Sequence, residues 1–137
     1  LHLGGTIAAR VSPKGGVSAQ YTAKEILDLY PEIKQLAKIK SRLIRNMHSE
    51  NMNFYHYNLL AKEIQKEINS KTGVDGIIIT HGTDTLHYTP AALSFILENL
   101  PIPIILVGAQ RSSDRGGSDA ALNLVSAINF INKTDWR

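Results

Sequence analysis

Short apolar runs alternate along the chain with longer segments in which apolar residues recur every three or four positions. The residues at 77–80 and 104–107 form two such runs, rich in isoleucine and bounded by glycine or proline. Runs of this kind are typical of strands buried in a parallel sheet, whereas a spacing of three and four predicts amphipathic helices. The pattern therefore predicts strands and helices in alternation.

Local signals predict where the helices begin and end. Helices are predicted at 22–30, 53–69, 90–99 and 120–131, with a further helical turn at 33–37. Thr22 with Glu25 three residues later has the spacing of a capping box. Thr89 followed by Pro90 predicts a helix start with proline at the first helical position.

The strands are predicted at 1–3, 39–47, 77–80 and 104–107. Because strands and helices alternate, the chain is expected to be an α/β protein with a parallel sheet and helices on both faces. Its 137 residues are enough for one domain with a real core, spanning 1–137. The polar segment 10–20 contains Pro13 and Gly15–Gly16 and is interpreted as a flexible loop, able to act as a lid.

Each predicted strand ends in a polar turn. These turns hold Thr6, Ser49 with Glu50, Thr83 with Asp84, and the segment 110–119. Right-handed crossovers place all four turns at one edge of the sheet, where α/β proteins bind ligands. Taken singly, each turn has a plainer explanation: Gly4–Gly5–Thr6 fits a tight structural turn, and Thr83–Asp84 fits a helix cap.

The side chains at this edge suggest acyl transfer. Two threonines from separate strands offer hydroxyl groups, and a threonine hydroxyl needs a nearby base to act as a nucleophile. Asp84 could orient that base or hold a substrate ammonium group, and Ser49 could bind a carboxylate. Gly5 and Gly82 leave room for backbone donors to an oxyanion. The lysines, however, do not follow the strand ends, so the base is missing from this set.

Composition excludes several other classes of function. The net charge of +3 is small and its lysines and arginines are scattered, which does not indicate nucleic-acid binding. The chain has no cysteine and no apolar run of the roughly 20 residues that span a bilayer, so a cytoplasmic location without membrane contact is expected. His48 and His81 flank the polar turns but are interpreted as structural, and no metal site is expected.

Two motifs carry a family resemblance. Gly4–Gly5–Thr6–Ile7–Ala8 and His81–Gly82–Thr83–Asp84–Thr85 resemble, in this order and separation, the two threonine motifs of bacterial-type asparaginases. The resemblance covers essentially the whole chain and matches the amino-terminal domain of that family. It implies a Rossmann-like or flavodoxin-like parallel sheet with helices on both faces.

The resemblance also implies a role for each matching position. Thr6 is the implied nucleophile, assisted by Tyr21 on the polar loop, and Thr83 is the implied second catalytic threonine. The implied role of Asp84 is to hold the substrate ammonium group. The implied roles of the remaining residues are contact with the substrate carboxylate for Ser49 and lining of the pocket for Glu50.

Three further segments narrow the resemblance within the family. The segments 49–52, 86–95 and 108–115 resemble the D subunits of archaeal glutamyl-tRNA(Gln) amidotransferases, a branch of the same family. This branch releases ammonia from glutamine or asparagine, and the partner E subunit of the amidotransferase uses it on Glu-tRNA(Gln). The resemblance implies a homodimer, no cofactor for this domain, and ATP and Mg²⁺ only on the partner.

The ends of the chain suggest part of a longer protein. Leu1 is not a methionine and lies in a predicted strand, and Trp136–Arg137 follow closely after a helix. The family pairs its second threonine with a lysine, which is expected beyond Arg137, as is the carboxyl-terminal domain. The chain alone is therefore expected to be inactive. Two alternatives remain: a free-standing L-asparaginase, and a non-catalytic module that binds a small ligand or phosphate through 110–119.

Overall fold

The computed structural model describes residues 1–11, 17–19 and 22–135. In chain order the elements are β1 (His2–Gly4), β2 (Ala9–Val11), β3 (Val17–Ala19), α1 (Ala23–Leu29), α2 (Ile33–Leu36), β4 (Leu43–Met47), α3 (Phe54–Ile68), β5 (Ile77–Thr80), α4 (Tyr88–Ile96), β6 (Ile104–Val107) and α5 (Ala120–Lys133). Short 3-10 turns follow β1 and β4, at Thr6–Ala8 and Ser49–Asn51.

Four parallel strands form the main sheet, in the order β4-β1-β5-β6. The chain leaves β1 toward β4 on one side and later returns to place β5 on the other side. Strand order therefore reverses beside β1, and this reversal is the topological switch point at which open α/β sheets bind ligands. The turns after β1 and β5 flank that point.

Side chains that alternate along the strands supply two separate core layers. Ile77 and Ile79 point to the layer that contains α3 and α4, whereas Ile78 packs against the layer that contains α1, α2 and α5. Ile79 is completely buried. Alternation of this kind is what a strand covered on both faces requires. The predicted α/β fold, a parallel sheet with helices on both faces, is confirmed.

Side chains cap the first and third helices at their N-termini. Thr22 Oγ1 accepts from the Glu25 N–H at 3.2 Å, and Glu25 Oε2 accepts from the Thr22 N–H at 2.8 Å. This reciprocal pair is the predicted capping box. At the start of α3, Asn53 Oδ1 accepts from the Tyr55 N–H at 3.1 Å.

The predicted start of α4 is wrong by two residues. The helix begins at Tyr88, so Pro90 is its third residue and Thr89 is a helical residue rather than the cap. Proline is tolerated there because the first turn of a helix has no intrahelical partners for its N–H groups. Thr89 is completely buried and forms a side-chain hydrogen bond within the molecule, which fixes the helix start.

Two predictions about the first half of the chain are also corrected. The strand predicted at 39–47 begins at Leu43, the residue that aligns with His2 of β1. The segment 10–20, interpreted as a loop, contains the paired ends of a hairpin formed by β2 and β3. In the described part of the chain no helix is long and apolar enough to cross a membrane.

Candidate active site

Three strand ends meet at two glycines. A Cβ atom on Gly5 would lie 2.4 Å from Gly82 Cα, and one on Gly82 would lie 2.6 Å from Ser49 Oγ. Both distances are far inside van der Waals contact, so these positions admit no side chain. Gly5 also has φ 77° and ψ −175°, a conformation essentially restricted to glycine. The turns after β1, β4 and β5 are therefore in direct contact.

Gly5 also joins the first two of these strands through its backbone. Its N–H donates to the Met47 carbonyl at 3.1 Å, at the end of β4. The sequence predicts that Gly5 and Gly82 leave room for backbone donors that face an oxyanion. Because the Gly5 N–H is already engaged with Met47, the geometry gives Gly5 a packing role and leaves Gly82 as the donor candidate of the pair.

A second set of contacts joins polar side chains in the turns that follow β4 and β5. Ser49 is buried, and its Oγ donates to Asp84 Oδ2 at 3.2 Å. Thr85 Oγ1 donates to the Ser49 carbonyl at 2.8 Å and holds the turn in place. Asp84 and Glu50 are both exposed. Ser49 and Asp84 thus form one polar pair, open to solvent on the Asp84 side.

The two candidate catalytic threonines lie on neighbouring strand ends. Thr6 and Thr83 are each half-buried, and the Thr83 methyl group lies 3.2 Å from where a Cβ on Gly108 would be. Within the described ranges neither threonine hydroxyl forms a hydrogen bond with another protein group. Both are therefore free to meet a ligand. Tyr21, the expected assistant of Thr6, lies outside the described residues.

A buried histidine supports the turn after β5. His81 Nδ1 lies 2.6 Å from the Gly82 carbonyl, which can only accept, so the proton is on Nδ1. Nε2 then accepts from Thr89 Oγ1 at 2.7 Å. Burial lowers the pKa of His81, partly offset by the hydrogen bond to Gly82, so the ring stays neutral. This arrangement agrees with the structural role predicted for His81.

The loop at 110–119 is closed at its base by a carboxylate. Asp119 accepts from the Gln110 N–H at 3.1 Å and from the Arg111 N–H at 3.2 Å. These hydrogen bonds, the Gln110 N–H first, lower the pKa of Asp119 despite its partial desolvation. From the far side of this loop Ser113 Oγ donates to the Ile7 carbonyl at 2.6 Å.

Sequence reasoning assigned no role to Thr85, Ser113 or Asp119. Asp119 could have been noticed as a carboxylate directly before a predicted helix, although it bonds backward to the loop instead of capping α5. Thr85 lies in the second threonine motif but carried no predicted function. For Ser113 no local signal exists, because its partner is 106 residues away.

A general base is not among the candidate residues that the structure brings together. Lys40 pairs with Glu67 at 3.3 Å and Lys66 pairs with Glu63 at 2.6 Å, both along α3. The described residues also contain no cluster of three or more histidine, aspartate or glutamate side chains that could hold a metal ion. The polar groups that the structure brings together at this edge are the two threonine hydroxyls and the Ser49–Asp84 pair.

Comparison with known proteins shows to which family the chain belongs. The family model "Asparaginase, N-terminal" matches residues 1–137. This chain belongs to the asparaginase family. Solved asparaginases share the fold: the thermostable L-asparaginase from Thermococcus kodakarensis superposes with a TM-score of 0.85 at 36% identity, covering 96% of this chain and 39% of that one.

Curated relatives of this asparaginase-family chain are more similar in sequence. The D subunit of glutamyl-tRNA(Gln) amidotransferase from Methanococcus vannielii is 53% identical over 129 residues, which is 93% of this chain and 30% of that protein. The D subunit from Pyrococcus furiosus is 51% identical over 128 residues, 93% of this chain and 29% of that protein. The chain thus spans about a third of the length of these relatives.

Proposed function

We propose that this chain carries the nucleophile-bearing part of an amidohydrolase site that releases ammonia from glutamine or asparagine. One observation supports the proposal: three features meet at the switch point, namely the Thr6 turn, the Ser49–Asp84 pair and the Thr83 turn. A free hydroxyl beside a polar pair suits a small substrate that has both an ammonium and a carboxylate group.

In the proposed reaction Thr6 Oγ attacks the side-chain amide carbon of the substrate. The hydroxyl proton passes through a base to the amide nitrogen, the C–N bond breaks, and ammonia leaves an ester on Thr6. Water then hydrolyses the ester, releasing the acid and restoring the hydroxyl. A backbone N–H such as that of Gly82 would stabilise the oxyanion formed in both steps. The base is proposed to be a lysine beyond Arg137, acting with Thr83.

The Ser49–Asp84 pair is proposed to hold the other end of the substrate. Asp84 is exposed and accepts from Ser49, so a carboxylate oxygen is available for a substrate ammonium group. Ser49 and nearby amides would contact the substrate carboxylate, with Glu50 lining the pocket. This arrangement needs no metal or cofactor of its own, and EDTA should leave ammonia release unchanged.

The released ammonia is proposed to serve the conversion of Glu-tRNA(Gln) to Gln-tRNA(Gln). Identity of about half over 93% of the chain to proteins named as the D subunit of the amidotransferase supports this choice. ATP and Mg²⁺ would then act on the partner E subunit, through which tRNA is engaged, and this chain would form part of a homodimer located in the cytoplasm. Sedimentation of the purified protein tests the dimer.

The proposal is tested with the protein expressed from its complete gene. Thr6→Ala and Thr83→Ala should each lower ammonia release from glutamine and asparagine by about 10³-fold or more, since loss of a nucleophile or its partner removes the covalent route. Thr72→Ala is the matched control, because Thr72 is an exposed threonine whose hydroxyl bonds to Ser70 instead of facing the site. Full activity in Thr6→Ala would overturn the proposal.

A free-standing L-asparaginase is the second candidate, favoured by the superposition with the Thermococcus kodakarensis enzyme. The two are separated by assaying ammonia release with and without the E subunit of the amidotransferase and Glu-tRNA(Gln). Release that rises with both supports the amidotransferase role. Vigorous release by the protein alone, unchanged by either addition, supports the asparaginase.

A phosphate-binding module is disfavoured by the loop at 110–119. The N–H groups of Gln110 and Arg111, which an anion would need, already donate to the Asp119 carboxylate. An acidic side chain in that position repels phosphate. Titration calorimetry with inorganic phosphate and with aspartate should therefore show binding of aspartate alone.

A further inference from the structure

One side chain links the loop at 110–119 to the turn that carries Thr6. Ser113 Oγ donates to the Ile7 carbonyl at 2.6 Å, and Ile7 immediately follows Thr6. The Ile7 side chain is completely buried, in the core layer that also holds Ala109 and Ala120 from the two ends of the same loop. The loop and the turn are thus packed together as well as hydrogen-bonded.

Backbone hydrogen bonds and burial restrain the turn: the Ala9 N–H donates to the Thr6 carbonyl, and Ile7 and Ala8 are buried. At its beginning the Gly5 N–H donates to Met47, and within it the Ala8 N–H donates to the Gly5 carbonyl at 3.0 Å. Among the described residues, Ser113 provides the side-chain hydrogen bond to Thr6–Ala8. The Ile7 carbonyl belongs to the peptide that joins Ile7 to Ala8, so the hydrogen bond from Ser113 holds the Ile7 backbone in place, and Thr6 is restrained through its covalent bond to Ile7.

The loop is built to keep Ser113 in place. Asp119 closes its base through the backbone of Gln110 and Arg111, and Ser118 Oγ donates to the Arg111 carbonyl at 2.8 Å. Between these points the Arg115 N–H donates to the Ser112 carbonyl at 3.1 Å. A serine held in this way acts as a fixed donor, unlike a serine on a freely moving loop.

We propose that Ser113 is a positioning residue for the nucleophile, acting through the Ile7 carbonyl to fix the attack geometry of the Thr6 hydroxyl. The inference rests on the proposed role of Thr6. Ser113 itself does not touch the substrate in this scheme. Its loss should therefore slow the formation of the Thr6 ester and leave substrate binding by Ser49 and Asp84 unchanged, because small displacements of a nucleophile cost rate more than affinity.

The test is steady-state and single-turnover kinetics of Ser113→Ala in the protein expressed from its complete gene. We expect kcat to fall about tenfold and KM to change less than about twofold, with a slower acylation phase. Ser113→Thr keeps the hydroxyl and should recover most of the rate. Ser94→Ala is the matched control: it removes an exposed serine hydroxyl that donates to a backbone carbonyl, that of Ala91 in α4, outside the loop at 110–119.

The outcomes separate this inference from the proposed function. If Thr6→Ala abolishes ester formation while Ser113→Ala keeps its kcat, the nucleophile stands and the role of Ser113 is wrong. If Ser94→Ala slows the reaction as much as Ser113→Ala, the effect is not specific to the hydrogen bond with Ile7 and the inference is wrong. If Thr6→Ala remains active, the proposed function fails first. Should Ser113→Ala not fold, Ser113→Cys offers the same size with a weaker donor, and unchanged kcat there overturns the inference equally.

Discussion

Different physical contacts hold the turns after β1, β4 and β5 and the loop after β6 in place. At the first three, which we call the strand-end junction (Gly5, Ser49 and Gly82), backbones touch so closely that a single methyl group has no room. The loop at 110–119 is instead held by side chains that hydrogen-bond to backbone groups, from Asp119 at its base to Ser113 at its far side.

This difference separates fixed geometry from adjustable geometry. Steric contact at the strand-end junction is all or none, because a close-packed interior does not absorb an added atom. A hydrogen bond at the loop can be weakened, replaced or restored one group at a time. The positions of the two threonines relative to each other are therefore set by the junction, whereas the orientation of Thr6 is adjusted from the loop.

The largest effect is expected from Gly5→Ala. The added Cβ would lie 2.4 Å from Gly82 Cα, and both are backbone-bound atoms that cannot move apart without separating β1 from β5. We expect a loss of more than about 4 kcal/mol in the free energy of unfolding. Thermal denaturation of the purified variant measures this loss.

The matched control for that variant is Gly73→Ala. Gly73 also has positive φ, at +60°, but nothing lies within 4 Å of its Cβ position. Only backbone strain should be felt there, about 1–2 kcal/mol. If Gly5→Ala and Gly73→Ala destabilise the protein equally, the close approach at the strand-end junction does not contribute to stability, and the proposed difference between the junction and the loop is wrong.

A smaller loss in the free energy of unfolding is expected from Thr89→Val. The substitution keeps the shape but leaves His81 Nε2 without its donor in a buried position. An unsatisfied buried acceptor costs about 1–3 kcal/mol. Urea unfolding should show this cost for Thr89→Val and little change for Thr89→Ser, which keeps the hydroxyl. Equal stability of the two variants would mean that the His81 bond does not support the turn after β5.

A loss of about 1 kcal/mol in the free energy of unfolding is expected from Asp119→Ala, because water can replace part of what this half-buried carboxylate provides. The effect should be local: amide hydrogen exchange at Gln110 and Arg111 should speed up, since both N–H groups lose their acceptor. Asp75→Ala, at an exposed aspartate outside the loop, is the control. Unchanged exchange at Gln110 would show that the loop is closed by other contacts.

The mildest perturbation is a change of pH, which should affect the two regions in separate ranges. Burial lowers the pKa of His81 from its ordinary 6.5. As the pH falls below about 6.5, the unfolded chain therefore binds a proton at this side chain more readily than the folded chain does. The stability contributed by neutral His81 is then lost gradually. The pKa of Asp119 is lowered from 3.8, so its contribution is present above that value and declines only below it.

Thermal midpoints between pH 7.5 and 6.0, together with the ¹⁵N signals of the His81 ring, test this separation. We expect the midpoint to fall, and the neutral ring of the folded protein to carry its proton on Nδ1. Titration of His81 in the folded state at or above its ordinary pKa of 6.5 would contradict the assigned hydrogen bonds. The protection of the Gln110 amide, corrected for the intrinsic pH dependence of amide exchange, should stay constant over the same range.

The family and most of the fold could be predicted from the sequence. The buried strands at 77–80 and 104–107, the capping box at Thr22 and the polar strand ends all depend on neighbours within a few residues. Parallel pairing and right-handed crossovers then leave few ways to order the strands, so the edge at which the threonine motifs meet follows from the pattern. Local errors, such as the start of α4, arose where a distant partner outweighed a local preference.

The contacts that shape the site were decided by the tertiary structure alone. Gly5 meets Gly82 because β1 lies beside β5, and Ser113 reaches Ile7 across 106 residues of chain. Such contacts depend on strand register and on how far each turn projects, which composition and periodicity do not encode. The sequence by itself determined which residues gather at the edge of the sheet. Only the packed structure decided which of them touch, because contact at the scale of one atom depends on all the elements that hold the two partners in place.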